Sequence, residues 1–229
     1  MFSYALYKEF TGVEYKDDYL LSVNQVIAAF QILVIAEIFE RGFLGESLLL
    51  VIGGVLLLLL SLISLRFFKI YLPIKDINPK DFIHIIIFGM AFGILFYFIP
   101  DPFVAQSKAD FGMVLFYLAM AAIAEEVLFR GIIMNISEKA FSYRMAVFLQ
   151  SLVFALIHFV ALSSIINYYI LSGFTAMLLF FYILIYAILL FSFGMFAAFI
   201  YHNKNRNIIY PIIFHFTANL LPLVIFRFF

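Results

Sequence analysis

The stretch FGMVLFYLAMAAIAEEVLFRGII, residues Phe111 to Ile133, decides how the chain is read. It is long and apolar enough to cross a bilayer, which takes about 20 such residues. Yet it carries two adjacent acids, Glu125 and Glu126, and one base, Arg130. An ionisable residue inside a membrane costs roughly 2.5–3.5 kcal/mol on insertion scales, so it faces a partner or a wet cavity.

The rest of the chain follows the same pattern. Of 229 residues, 66% are hydrophobic and only 12% charged, against about 25% charged in a soluble domain. Mean hydropathy is +1.13. The fold class is therefore all-α, a polytopic transmembrane helix bundle forming one domain over residues 1–229. Apolar runs predict spans near 20–39, 47–68, 82–99, 111–133, 145–166, 173–201 and 208–228. The count is about seven, within six to eight, because the long sixth run accommodates a re-entrant piece from Asn167 followed by a helix. Residues 1–19 mix charge with aromatics and have no apolar signal core, so they are read as an interfacial or cytoplasmic lead-in.

Positive charge sets the orientation. Seven spans place Arg41, Lys108 and Arg227 on one side and all the other Lys and Arg residues on the opposite side. That asymmetry puts the N-terminus in the cytoplasm. A net charge of zero gives no basic surface for nucleic acid. The absence of cysteine excludes disulfides, thiol nucleophiles and thiolate metal sites. The abundant Phe and Tyr are read as lipid packing and interface anchors.

Polar residues within the spans fall into three groups. Glu126 and Arg130 are four apart and share a helix face, so they pair, while Glu125 points about 100° away. Phe154 and His158 share a face of the fifth span. His215 and Asn219 share a face of the seventh. At about 1.5 Å per residue, Glu125, His158 and His215 lie roughly 10–20 Å from the cytoplasmic end of their spans. Three helices thus bring an acid, two imidazoles and a carboxamide to overlapping depths. Each group alone has a plainer reading, as a structural ion pair or as interhelical hydrogen bonding. Asn24, Gln25 and Gln31 are assigned to helix contacts. Glu37, His84 and His202 are assigned to interfaces or surfaces, and Gly89 with Gly93 to ordinary small residues of a membrane helix.

The series AEEVLFRG (124–131), FALIH (154–158) and HFTAN (215–219) resembles the CPBP family. That family holds the CAAX prenyl endopeptidases and the bacterial Abi-type proteins tied to bacteriocin processing and self-immunity. The resemblance covers residues 111–222, the expected catalytic core helices, and implies an intramembrane endopeptidase. By this resemblance Glu125 is the general base and His158 its partner in holding the attacking water. His215 and Asn219 stabilise the oxyanion; Glu126, Arg130 and Phe154 support them. The implied mechanism is a glutamate-activated water with no cofactor. Zinc is the competing arrangement, with Glu125, His158 and His215 as a His₂Glu set, although no H-E-x-x-H helix is present.

The residues suit hydrolysis on chemical grounds. Amide cleavage needs an activated water, a proton acceptor and donors aimed at the developing oxyanion. No G-x-S-x-G elbow and no cysteine offers a different nucleophile. Two other functions remain open: a non-catalytic immunity or binding protein, and an ion-coupled transporter, since carboxylates and histidines also build proton relays. The expected partners are the bilayer and a peptide or protein substrate at the membrane. A leader peptide, signalling peptide or bacteriocin precursor fits the AT-rich, bacterial character of the composition. A prenylated tail requires a host that prenylates. The expected location is the bacterial cytoplasmic membrane, with the site in its cytoplasmic half.

Overall fold

A computed structural model describes residues 47–67, 70–98, 111–158, 173 and 175–228. Among them are six helices and no strand: α1 (Ser47–Phe67), α2 (Pro79–Phe98), α3 (Phe111–Ala140), α4 (Tyr143–His158), α5 (Ala176–Asn203) and α6 (Ile209–Phe228). The expected first span, the lead-in, the start of the re-entrant piece at Asn167 and residues Asn24, Gln25, Gln31 and Glu37 lie outside the described residues. Three helices are long and apolar enough to cross a membrane: α2, α3 and α5. Helices α1, α4 and α6 contain shorter apolar stretches.

Helix ends follow local chemistry. Asn78 caps α2: its Oδ1 accepts from Lys80 N at 3.0 Å, and Pro79 takes the first helical position, where a missing N–H costs nothing. Thr175 caps α5 by accepting from Leu178 N. At the other end of α5, Asn205 and Arg206 take left-handed backbone angles, and Arg206 N closes onto Tyr201 O at 2.8 Å. Asn207 then caps α6 through Ile209 N and donates to Lys75 O.

Helix α3 departs from the expected span in two ways. It continues to Ala140, seven residues past the expected end at Ile133. Its middle, Val127–Met134, is π-helical, and every residue of that segment is buried. Asn135 stabilises the exit. Its Nδ2 donates to Arg130 O and Gly131 O at 3.0 and 2.7 Å, and its Oδ1 accepts from Arg206 Nη1. The polar residues NISEK at 135–139 read as a connector in the sequence. They stay helical because Asn135 and Glu138 both find Arg206.

The bundle is built of three close pairs, α2 with α6, α1 with α3 and α4 with α5, and α3 joins them. Gly89 and Gly93 are more than ordinary small residues. A Cβ on Gly89 would stand 1.9 Å from Thr217 Oγ1, and one on Gly93 2.8 Å from Ala218 O. They form the seam between α2 and α6 and so seat the helix that carries His215. Phe92, Phe193 and Phe214 pack beneath it, with Phe193 and Phe214 centroids 4.8 Å apart. Large apolar side chains such as Ile63, Phe98, Phe180 and Phe199 are exposed around the bundle, where lipid tails are the solvent that suits them. An integral membrane protein follows from this surface and from the apolar helices.

Candidate active site

The site lies where α3 changes from α to π geometry. Glu125 and Glu126 occupy the last two positions before the π segment. They diverge as the helical spacing requires. Glu126 is fully buried and Glu125 faces a space shared with α4 and α6, its side chain 14% exposed.

Glu125 Oε2 lies 3.8 Å from His158 Nε2 on α4 and 3.9 Å from His215 Nε2 on α6. These separations exceed direct hydrogen bonds and suit a bridging water. Each imidazole has its other nitrogen engaged. His158 Nδ1 is 2.8 Å from Phe154 O, and because a carbonyl only accepts, Nδ1 carries the proton. His215 Nδ1 is 2.7 Å from Glu126 Oε1. Both rings therefore direct Nε2 to the Glu125 side.

Glu126 does more than pair with Arg130. Its Oε1 accepts from Arg130 Nη1 at 2.7 Å and meets His215 at the same distance, so one oxygen ties α3 to α6. Arg130 is fully buried. Its Nη2 reaches Gly194 O on α5 at 3.1 Å, and its guanidinium carbon stands 5.2 Å from the centre of the Phe154 ring. Phe154 thus serves the site three ways: its carbonyl holds His158, its ring lies 4.5 Å from the His158 ring, and its face meets Arg130.

Asn219 follows His215 by one turn on α6, on the same face and half-buried. His84 and His202 are exposed and belong to other places; His202 stacks on Tyr143 at 3.9 Å. The seven site residues read from the sequence thus lie on α3, α4 and α6, and the structure gathers Glu125, Glu126, Arg130, Phe154, His158 and His215 through direct contacts or sub-4 Å approaches.

Three residues were missed. Gln150 donates to Gly194 O at 2.9 Å and to Ser151 Oγ, and Ser151 Oγ donates to Val147 O at 2.7 Å. A Cβ on Gly194 would stand 3.0 Å from the Ser151 backbone, a tight contact that the glycine avoids where α5 meets α4. A signal was available: Gln150, Phe154 and His158 recur every four residues, one stripe on one face.

A tetrahedral zinc site with bonds of about 2.0–2.2 Å places its donors roughly 3.4 Å apart. The separations of 3.8 and 3.9 Å are wider, and among the described residues no group of three or more His, Asp or Glu has metal-holding geometry.

A family model described as type II CAAX prenyl endopeptidase, Rce1-like, matches residues 107–221, half of the chain. That stretch contains every residue of the cluster. No curated protein and no solved structure matches the chain.

Proposed function

The chain belongs to the Rce1-like family of type II CAAX prenyl endopeptidases, a protease family, and from that premise we propose that it cleaves a peptide bond by means of a water activated by Glu125. The observation that carries this reading is the approach of His158 Nε2 and His215 Nε2, from two other helices, to within 4 Å of one Glu125 oxygen. A water at the centre of that triangle donates one hydrogen to Glu125 Oε2 and the other to His158 Nε2, the acceptor nitrogen of a ring whose Nδ1–H faces Phe154 O. As the water attacks the scissile carbonyl, Glu125 takes its proton and delivers it to the departing amine. His215, doubly protonated, gives Nδ1–H to Glu126 and Nε2–H to the oxyanion, and the Asn219 amide adds a second donor. The proton leaves the attacking water for Glu125 and ends on the departing amine, and the water oxygen ends on the new carboxyl group.

Family membership implies a peptide or protein substrate at the membrane. Within that class the proposed substrate is a peptide precursor or a membrane-associated protein tail, reached from the cytoplasmic half of a bacterial membrane. The test compares peptides released from membranes holding wild type, Glu125→Gln or Glu125→Ala. A hydrolase loses the released fragment in both variants while the folded protein persists. Undiminished release by Glu125→Gln refutes the proposal and favours a binding protein. Flux of ions across proteoliposomes would favour transport.

A further inference from the structure

A carboxylate held at zero exposure inside a membrane needs more than a counter-ion to explain where it sits. Arg130, on the same helix, already supplies the charge for Glu126 at 2.7 Å. A structural ion pair would be complete with those two side chains. Instead the oxygen that accepts from Arg130 also meets an imidazole from another helix, His215 Nδ1, at 2.7 Å.

The imidazole ring has two orientations of equal shape. Turning it over exchanges Nδ1 with a carbon, removes the bond to Glu126 and carries Nε2 away from Glu125. Packing does not choose between them. Phe193 and Phe154 meet the ring edge-to-face, at 4.9 and 6.1 Å between centroids, and hydrocarbon contacts tolerate either orientation. The groups around the ring that can choose are Glu126 and Glu125 from α3, with Arg130 behind Glu126 and His158 across from Glu125 on α4. Among the described residues only Glu126 is at hydrogen-bond distance from the ring.

We infer that Glu126 is the positioning residue of the site: it fixes the orientation of His215 and keeps a proton on Nδ1, so that Nε2 is the ring atom presented to the reacting carbonyl. Arg130 provides the counter-charge that makes Glu126 an acceptor at that oxygen. The same logic orients metal-bound histidines, where loss of the outer carboxylate costs about 10–100-fold in metal affinity or activity, and the catalytic histidine of a Ser-His-Asp triad, where a carboxylate holds the ring in one tautomer. This inference rests on the proposed role of His215.

The experiment reads the ring directly. Full-length protein labelled with ¹⁵N-histidine is placed in lipid nanodiscs, and the His215 signals are assigned by their loss in His215→Gln. The inference expects a protonated, hydrogen-bonded Nδ1 in wild type and a changed Nδ1 signal in the isosteric Glu126→Gln. With an internally quenched prenylated CAAX peptide as probe, kcat falls about 10–100-fold in Glu126→Gln with KM nearly unchanged, and Glu126→Asp recovers part of it. A bare Nδ1 in wild type overturns the inference outright, with no variant required to fold. So does a folded Glu126→Gln whose His215 signals match wild type, or a loss confined to KM. The ring signals need no turnover: if Glu125→Gln still cleaves, the hydrolase reading fails while the protonated, Glu126-bound Nδ1 of His215 stands or falls on its own.

Discussion

Arg130 and Gln150 donate to a single acceptor, the main-chain oxygen of Gly194, at 3.1 and 2.9 Å. One comes from α3 and the other from α4, and the oxygen belongs to α5, so three helices meet at one carbonyl. Arg130→Ala strips Glu126 of its counter-charge and leaves Gln150 as the one side chain donating to this carbonyl. Losing one partner of a buried ion pair costs about 3–5 kcal/mol. Arg130→Lys should recover less than half, because an ammonium cannot span Glu126, Gly194 O and the Phe154 face as a guanidinium does. Unfolding in nanodiscs, followed by the reactivity of a cysteine introduced at a buried position, measures both. A lysine variant as stable as wild type contradicts the three-way role.

At the α2–α6 seam, the two glycines should differ in whether they can be rescued. Gly89→Ala clashes first with Thr217 Oγ1, a side-chain atom, so adding Thr217→Ala should return part of the stability. Phe214 O at 2.7 Å keeps the rescue incomplete. Gly93→Ala meets Ala218 O and Leu221 Cβ, and no trimming of a neighbour relieves a clash with backbone. Each alanine should cost about 1–3 kcal/mol, as overpacking does. Activity should fall along with stability, since the displaced helix carries His215. Thermal inactivation of the four proteins gives the comparison.

Asn135→Leu removes the amide that serves Arg130 O, Gly131 O and Tyr201 OH, and the oxygen that receives Arg206. Unsatisfied buried polar groups cost about 1–3 kcal/mol. The effect should be local. Hydrogen exchange should accelerate across residues 127–140 and stay unchanged in α2. Uniform acceleration throughout the bundle would show that Asn135 governs global stability instead.

Metal removal discriminates between the two ways of activating water. With Glu125 as the base, activity should survive dialysis against a strong chelator to within about twofold of the untreated enzyme. Loss on chelation followed by recovery on adding zinc would replace the proposed chemistry with a metal-bound water.

Much of the scaffold was legible because lipid imposes one rule on every span. Six of the expected spans overlap helices α1 to α6; α2 and α5 begin three residues from their expected starts, α3 runs seven residues further, and the expected fifth span beyond His158 lies outside the described residues. The pairing of Glu126 with Arg130 was equally legible, being a matter of four-residue spacing on one helix. The bond from Glu126 to His215 was not, since it joins positions 89 residues apart and nothing local encodes it. The helical run past Ile133 was hidden for a related reason: Asn135 and Glu138 look like connector residues until Arg206 arrives from the far end of α5. The glycine seam was visible as a motif, but its partner helix was not. The π segment left no trace, because VLFRGIIM is as suitable for an α-helix.

That wide turn makes chain length itself a constraint. Residues 127–134 are enclosed on all sides, so a single deletion there has no loop in which to be absorbed. Tightening to ordinary pitch would turn everything downstream by about 100° per residue removed, swinging Asn135 away from Tyr201 and Arg206 or, taken up in the other direction, Glu125 out of its chamber. Side chains in this segment can be exchanged for others of like volume, but their number cannot, and the acids upstream stay in register with the anchor downstream only while all eight are there.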